Sequence, residues 1–304
     1  MFRFKSLFGI TLLSLSAAHS THAAGNPFIG RWALTIPGGG AGWLGVEEKD
    51  GKLQSSVLWG GGSVLPVSSV VISDDTLIVT RTNNVERKDA AGKVVRTQQF
   101  TEAITAKLGE GDTLKLTRLA PRGNSSGYDS AEFTGKRIPA LPARPDLTKV
   151  KFGEPIALFN GKDLSGWKVK ETNMDSAWSV EGGLLSNRPP KHAPGTPAKR
   201  TANLRTEREF EDFNLKLEVN VPAGSNSGVY LRGIYEIQVV DSFGKALDSH
   251  NMGALYSRIV PSSAAEKKAG EWQTMDITLV DRHVTVVLNG TKIIDNQPAL
   301  GCTG

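Results

Sequence analysis

The chain has 304 residues, of which 39% are hydrophobic, so it is long enough to bury a stable core without disulfides. Its formal net charge is only +5 and its basic residues are scattered, which argues against nucleic-acid binding. The single cysteine, Cys302, excludes an internal disulfide and any site built from several cysteine ligands.

Residues 1–24 have the pattern of a secretory signal peptide. Arg3 and Lys5 supply a basic start, and the apolar run at residues 7–18 is too short to span a bilayer. Small residues near Ala23 suit a cleavage point. No later segment is long and apolar enough to cross a membrane. We therefore predict an exported protein, either periplasmic or secreted.

Residues 25–137 are predicted to form a first, antiparallel β domain of unknown role. Strand-like runs alternate with turns such as Gly38-Gly39-Gly40 and Asp50-Gly51. A meander of this kind closes most naturally as an up-and-down barrel or half-barrel, in which we favour a packing role for Trp32. The predicted strands cover residues 31–36, 43–47, 53–58, 67–73, 76–81, 97–107 and 113–119.

A proline-rich linker at residues 138–150 separates this part from a second domain at residues 151–304. In the second domain, residues 213–219 alternate apolar and polar side chains, and Asn289-Gly290 is a hairpin turn signal. With no convincing helix, the pattern predicts an all-β chain whose second domain is a two-sheet sandwich or jelly roll. Its predicted strands cover residues 156–159, 167–169, 178–180, 184–186, 203–206, 214–221, 229–232, 235–240, 254–256, 273–280, 283–288 and 292–295.

The segment at residues 226–242 concentrates the polar candidates in two adjacent strands. Alternation places Tyr230 and Arg232 on one face of the first strand, and Glu236 and Gln238 on one face of the second. The opposite face of the second strand is apolar. If the polar face lines a groove, it forms a binding site. If that face is a flat exterior, its side chains are merely solvated.

Seven motifs in the second domain, taken in order, resemble the 3-keto-disaccharide hydrolase family. They are LFNGKDLSGW at 158–167, WSVEGGLL at 178–185, TEREFEDF at 206–213, NSGVYLR at 226–232, YEIQVVDS at 235–242, GEWQ at 270–273 and VVLNG at 286–290. The resemblance covers residues 155–304 and leaves the first domain out. Family members usually end in a further polar strand that is absent here. Either this sheet closes differently, or the chain is a fragment without its final strands.

The resemblance implies a concanavalin-like jelly roll that cleaves glycosides already oxidised to a ketone at carbon three of the sugar. It also implies a divalent metal cation, and we expect no organic cofactor. The ketone acidifies the proton on carbon two, so a base can remove it and the aglycone can leave from carbon one. Water then adds to the enone, which makes the net reaction a hydrolysis. The protein must supply a base and a group that stabilises the enolate oxygen.

The predicted catalytic residues are Glu236, Arg232 and His250. Glu236 would be the base or a metal ligand, Arg232 the oxyanion clamp, and His250 a proton shuttle. Each has a plainer interpretation. Glu236 can be a solvated strand position, Arg232 can simply neutralise it across the strand pair, and His250 can be a solvated loop histidine.

The predicted substrate-binding residues are the polar Asn226, Gln238 and Asp241 and the aromatic Tyr256 and Trp167. The amides would orient sugar hydroxyls, and Asp241 would either join Glu236 as a metal ligand or fix Arg232. Tryptophans can stack on sugar rings but more often fill a core, and we favour core positions for Trp178 and Trp272.

The preferred function is an exported enzyme acting on 3-keto glycosides or oligosaccharides. The alternatives are a carbohydrate-binding module without chemistry and an envelope interaction protein that docks partners through the first domain. A base and an oxyanion holder converging in one groove would separate the enzyme from the binding module. The sequence leaves the oligomeric state and the choice between hydrolysis and elimination open.

Overall fold

The computed structural model describes residues 26–302, except residues 41, 61, 90, 123–125 and 191–198. The predicted signal peptide lies outside the described residues. Every regular element in the described part is a β-strand, so the prediction of an all-β chain is confirmed. Within the same part, no helix has the length and hydrophobicity that a membrane span requires.

The first domain is a nine-stranded antiparallel sheet in the order β4-β3-β2-β1-β9-β8-β7-β6-β5. Contacts between β3 and β5 bring the two ends of the sheet together, as in a barrel. The strands are β1 (Gly30–Thr35), β2 (Gly42–Lys49), β3 (Lys52–Trp59), β4 (Val64–Pro66), β5 (Ser69–Ser73), β6 (Thr76–Lys88), β7 (Val94–Leu108), β8 (Thr113–Pro121) and β9 (Tyr128–Arg137).

Two features of this sheet differ from the prediction. β9 is absent from the predicted strands because its sequence signal is too weak, and the predicted strand at residues 67–73 has the wrong bounds. β9 pairs with both β1 and β8 and so connects the two halves of the meander. Only Phe133 and Gly135 of its ten residues are buried, so the strand lacks an apolar alternation. Residues 67–68 lie between two separate strands, β4 and β5.

The core of the first domain forms on the inner face of this sheet. Trp32 is fully buried, donates its indole N–H to the Phe28 carbonyl at 3.0 Å, and carries the Arg137 guanidinium 4.0 Å above its ring. The predicted packing role of Trp32 is therefore confirmed. Its stacked position under a guanidinium gives it a cation–π contact in addition to its buried area.

The second domain is a two-layer arrangement of small antiparallel sheets. One layer is the four-stranded sheet β14-β17-β18-β19, and the other contains the β15–β16 hairpin; two further pairs are β10–β13 and β11–β12. The strands are β10 (Trp167–Val169), β11 (Trp178–Glu181), β12 (Leu184–Asn187), β13 (Leu204–Thr206), β14 (Phe213–Asn220), β15 (Asn226–Leu231), β16 (Tyr235–Val240), β17 (Trp272–Val280), β18 (His283–Leu288) and β19 (Thr291–Pro298).

The core of the second domain lies between these two layers, as a sandwich requires. Tyr235 and Ile237 of β16 pack with Ile277 and Val286 of the four-stranded sheet, and none of these four side chains is accessible to solvent. The Asn289-Gly290 turn has positive φ at both residues, as the hairpin signal predicts.

Three predictions for the second domain are wrong. Residues 156–159 form no strand, and residues 254–256 contribute only isolated bridges, from Leu255, rather than a strand. Trp272 is not a core residue, because the inward positions of β17 are odd-numbered and Trp272 on the other face is 44% exposed.

The proline linker runs along β18 and β19, held by side chains of the second domain. Arg282 donates to the Pro139 carbonyl at 3.0 Å, and Asn296 donates to the Pro145 carbonyl at 2.8 Å. Prolines lack an N–H, so the linker accepts hydrogen bonds through its carbonyls instead of pairing as a strand. The domain boundaries themselves stay a prediction.

Candidate active site

The β15–β16 hairpin positions the central carboxylate. Its register pairs Tyr230 with Glu236 and Gly228 with Gln238, so these four residues share one face. The opposite face carries the buried Ile237 and packs into the sandwich core. The polar face of β16 therefore points away from the core, as its alternation predicts.

Gly228 makes the space in which the Glu236 side chain lies. A Cβ at position 228 would sit 2.2 Å from Glu236 Oε1 and 2.8 Å from its carboxyl carbon. The carboxylate thus folds back over the bare backbone of the neighbouring strand. Tyr230 donates its hydroxyl to Glu236 Oε2 at 2.8 Å and fixes the carboxylate from the other side.

Burial raises the pKa of Glu236 above its usual value. The Tyr230 hydrogen bond and the positive charge of Arg258 act in the opposite direction and limit the rise. Burial and the neighbouring carboxylate raise the pKa of Tyr230 strongly, so this phenol stays protonated and remains a donor. A half-buried carboxyl with a raised pKa is a common property of catalytic acids and bases.

Residues 253–258 cover the outer edge of β16 and bring two further groups to the same face. Tyr256 donates its backbone N–H to the Glu236 carbonyl at 2.9 Å, and Leu255 forms a bridge with Ile237. Tyr256 therefore lies beside Glu236 on the side away from Tyr230. Two residues further on, the Arg258 guanidinium stands 5.9 Å from the ring centre of Tyr235.

A pocket of about 60 Å³ opens where these groups meet. The first domain supplies part of its wall through Leu58 and Gly62. The pocket is lined by Leu58, Gly62, Tyr230, Gly233, Ile234, Glu236, Tyr256 and Arg258. It combines one carboxylate, one guanidinium and two phenols, with apolar contacts on the remaining sides.

Arg258 is the charged group of this pocket without a close counter-ion. Within the described residues its guanidinium makes no hydrogen bond or ion pair, and its buried Nε has no partner at all. Burial lowers the pKa of Arg258, while the nearby Glu236 and tyrosines act in the opposite direction. A guanidinium held in this way is available to a negatively charged or strongly polar oxygen of a bound ligand.

His250 lies behind Tyr256 and outside the pocket lining. Its ring meets the Tyr256 ring edge to face at 4.8 Å, and its Nδ1 is 2.5 Å from Asp248 Oδ1. The Ser63 hydroxyl of the first domain lies 3.3 Å from His250 Nε2 and 3.3 Å from the Tyr256 hydroxyl. His250 is therefore connected to the pocket through Ser63 and Tyr256, and has no contact with Glu236 in the described structure.

The structure separates Arg232 from the carboxylate with which we grouped it. β15 ends at Leu231, and Arg232 stands in the hairpin turn with a φ of 52°, where strand alternation no longer applies. Burial raises the pKa of the Asp212 carboxyl, and the Arg232 charge acts on it weakly in the opposite direction. Arg232 does not line the pocket, and Arg258 occupies the position that we expected for it.

The predicted sugar-binding amides differ in exposure. Gln238 is 1% exposed and donates to the His250 carbonyl at 3.3 Å, so it supports the histidine loop from inside. Asn226 is exposed on the same face but begins β15, four residues from Tyr230, or roughly 13 Å along the strand. Neither amide lines the pocket.

Trp167 also lies outside the pocket. Its indole N–H donates to the Leu158 carbonyl at 2.6 Å, and its strand pairs with β13. These contacts fix the turn of the LFNGKDLSGW motif. The described residues thus bring together only Glu236 and Tyr256 among the sequence-predicted site residues, with His250 one contact further away.

The two carboxylates predicted to bind a metal do not converge. Asp241 follows β16 by one residue and is five positions from Glu236. Its Oδ2 accepts the Gly224 N–H at 2.9 Å. In the part of the chain that the structure describes, no group of three or more His, Cys, Asp or Glu residues is arranged as a metal site. These residues do not fit a shared divalent cation, which stays a prediction from the resemblance.

Tyr230, Arg258 and Ser63 are the site residues that sequence reasoning missed. Alternation placed Tyr230 on one face of its strand, but its pairing and hydrogen bond with Glu236 were not predicted. Arg258 follows Tyr256 by two residues, but residues 256–258 form a turn in which Ser257 has a φ of 57°, so strand alternation gives no signal for Arg258. Ser63 comes from the other domain, about 190 residues away in sequence, and no local pattern indicates such a contact.

Comparisons with known proteins agree with the resemblance found in the motifs. Residues 154–302 match the family model of the 3-keto-alpha-glucoside-1,2-lyase-like domain, which confirms the predicted family for this part of the chain. No curated protein matches the chain.

Among solved structures, the chain is similar to candidate glycosyl hydrolases from Parabacteroides distasonis ATCC 8503. One is 25% identical, with a TM-score of 0.39, and the match covers 55% of this chain and 84% of that one. A second is also 25% identical, with a TM-score of 0.38 and coverages of 45% and 70%. A third is 31% identical, with a TM-score of 0.28 and coverages of 30% and 53%.

Proposed function

We propose, from the membership of residues 154–302 in the 3-keto-alpha-glucoside-1,2-lyase-like family, that this protein is an exported enzyme that cleaves 3-keto glycosides. The family match supports a glycoside-cleaving domain, and the ketone-bearing substrate is the finer step that we add. One observation carries the proposal. A carboxyl whose pKa is raised shares a pocket with two phenols and with a guanidinium whose buried Nε has no hydrogen-bond partner in the described structure.

Glu236 is the base in this proposal. It takes the proton from carbon two of the sugar, which the ketone at carbon three has acidified. A raised pKa makes the carboxylate a stronger base than an exposed glutamate, and the Tyr230 hydrogen bond keeps one of its oxygens oriented. The other oxygen, Oε1, lies over the Gly228 backbone and is the atom that accepts the proton in this proposal.

Arg258 stabilises the enolate that forms when the proton leaves. The negative charge then develops on the oxygen at carbon three, and a preorganised cation in a partly desolvated pocket stabilises it more than water would. Because Arg258 has no close ion pair in the described structure, it need not break one to act. No step of this mechanism is routed through a metal ion.

The reaction follows from these roles. Collapse of the enolate expels the aglycone oxygen from carbon one, and water adds to the resulting enone to complete net hydrolysis. An ordinary glycoside lacks the acidified proton, so the same residues would have no effective reaction with it. Dependence on the ketone is therefore the property that distinguishes this enzyme from a conventional glycosidase.

The direct test is to incubate the full-length protein with a 3-keto glucoside and with its unoxidised parent. We expect aglycone release only from the 3-keto compound, and a loss of at least about 100-fold in kcat for Glu236→Gln. Glu218→Gln, which changes an exposed glutamate of β14, is the matched control and should keep full activity. Release from both compounds would contradict the ketone-dependent mechanism. Binding of sugar without release from either would identify a binding module instead.

A further inference from the structure

A chain of hydrogen bonds connects the pocket to the protein surface and crosses between the two domains. It runs from Tyr256, which lines the pocket, through the Ser63 hydroxyl to His250 and ends at Asp248. The two contacts of Ser63 are each 3.3 Å, a length common in catalytic hydrogen bonds before substrate is bound. The chain leads from the pocket to side chains that are 42% and 59% exposed, for His250 and Asp248 respectively.

We propose that Ser63 of the first domain relays a proton from His250 to Tyr256, and that Tyr256 gives its own proton to the departing aglycone oxygen. This role rests on the proposed function, because it concerns the second half of the same elimination. It makes Tyr256 the general acid and Ser63 a positioning and relay residue. It also gives the first domain, which lies outside the family match, a part in the reaction.

Tyr256 suits the acid role better than Tyr230. The Tyr230 hydroxyl is already committed to Glu236 Oε2 at 2.8 Å, whereas the Tyr256 hydroxyl accepts from Ser63 and keeps its own proton to donate. Tyr256 is also the direct neighbour of Glu236 across a backbone hydrogen bond. The acid and the base therefore stand side by side on one wall of the pocket.

The proton and electron balance of the step closes without a further reactant. Glu236 gains the proton of carbon two, and the electron pair left behind expels the aglycone by breaking the bond between carbon one and oxygen. Tyr256 protonates that oxygen and regains a proton from Ser63, which in turn takes one from Nε2 of the His250 ring. Glu236 ends with one proton more and His250 with one fewer. Exchange with water at the exposed ring and in the emptied pocket restores both.

The test uses two 3-keto glucosides that differ only in the aglycone. A 4-nitrophenolate leaves as an anion and needs no acid, whereas an alkyl alcohol must be protonated as it leaves. For Ser63→Ala we expect kcat on the alkyl glycoside to fall at least about 10-fold, with KM little changed and with the nitrophenyl glycoside unaffected. Tyr256→Phe should show the same dependence on the aglycone, with a larger loss.

Two further variants separate the relay from a packing effect. Ser63→Thr keeps the hydroxyl and should restore most of the activity on the alkyl glycoside. Ser69→Ala removes an exposed hydroxyl of β5 that bonds Thr80, and should leave kcat on both substrates unchanged. If Ser63→Ala lost kcat equally on both glycosides, or lost none on the alkyl glycoside, the relay would be overturned and the proposed function would stand. A wild-type protein that cleaves neither glycoside would overturn both proposals.

Discussion

The pKa of Glu236 is set by three influences that oppose one another, and each can be changed by a single substitution. Burial raises its pKa, while the Tyr230 hydroxyl and the Arg258 charge lower it. Because the base must be deprotonated to act, the rate should increase with pH through this pKa. The acid side of the pH–rate profile therefore reports the surroundings of one carboxyl.

Replacing Tyr230 with phenylalanine removes a donor that favours the carboxylate. The pKa of Glu236 should rise further, so we expect the acid limb of the kcat/KM profile to move to higher pH in Tyr230→Phe. The measurement is kcat/KM on a 3-keto glucoside across the acid range. Phe replacement of the exposed Tyr128 is the control. A limb that stays in place, or moves to lower pH, would contradict the role of Tyr230.

The same carboxyl affects stability with a definite sign. A folded-state pKa raised above the unfolded value of about 4.5 means that Glu236 favours folding at low pH, and that this contribution disappears as the pH rises through the folded pKa. Glu236→Gln should therefore gain stability relative to wild type as the pH rises from about 4 to 7. Urea unfolding of both proteins across this range measures the difference. For the exposed control, Glu218→Gln, the difference in free energy of unfolding from wild type should stay nearly constant across this pH range.

At the scale of elements, the site depends on the fit between two strands. Gly228 of β15 leaves the space into which the Glu236 side chain folds back, because any Cβ there would overlap the carboxylate. The φ of Gly228 is not positive, so the backbone itself would accept alanine. Space above the strand, and not chain flexibility, is the reason for glycine at this position.

Gly228→Ala should displace the Glu236 carboxylate and reduce kcat about 100-fold or more, since a shift of about 1 Å in a catalytic group has effects of this size. The fold should persist, with an unfolding temperature near that of wild type. Ser227→Ala on the neighbouring, exposed position is the matched control and should retain activity. Full activity in Gly228→Ala would show that the carboxylate does not act from its observed position.

The elements also show how far the sequence alone could go. Alternation and hairpin signals are local, so they located β14, β16, β17 and β18 to within about two residues. β9 could not be predicted because most of its side chains face solvent, and its place is set by pairing with β1, about a hundred residues away. Arg232 was misplaced for a related reason, because alternation fails in a turn and the turn begins one residue earlier than the pattern implied.

At the scale of the whole molecule, the two domains share an apolar contact close to the site. Trp43, Leu58 and Ile138 pack with the buried Cys302, and Ile234 of the β15–β16 turn joins them. The Cys302 thiol lies 3.1 Å from the Gly42 carbonyl, and burial raises its pKa, so it behaves as an inert packing group. Residues of this contact also line the pocket, so the relative placement of the domains and the shape of the site depend on one another.

This shared cluster predicts coupled unfolding of the two domains. Opening either domain would expose apolar side chains of the other, so we expect a single transition in calorimetry. Ile138→Ala, at 8% exposure, should cost about 2–4 kcal/mol and lower the transition temperature of the whole chain. Ile72→Ala, at 38% exposure, is the control and should have a much smaller effect. Two separate transitions in the wild-type protein, or an Ile138→Ala effect confined to one of them, would show that the domains fold independently.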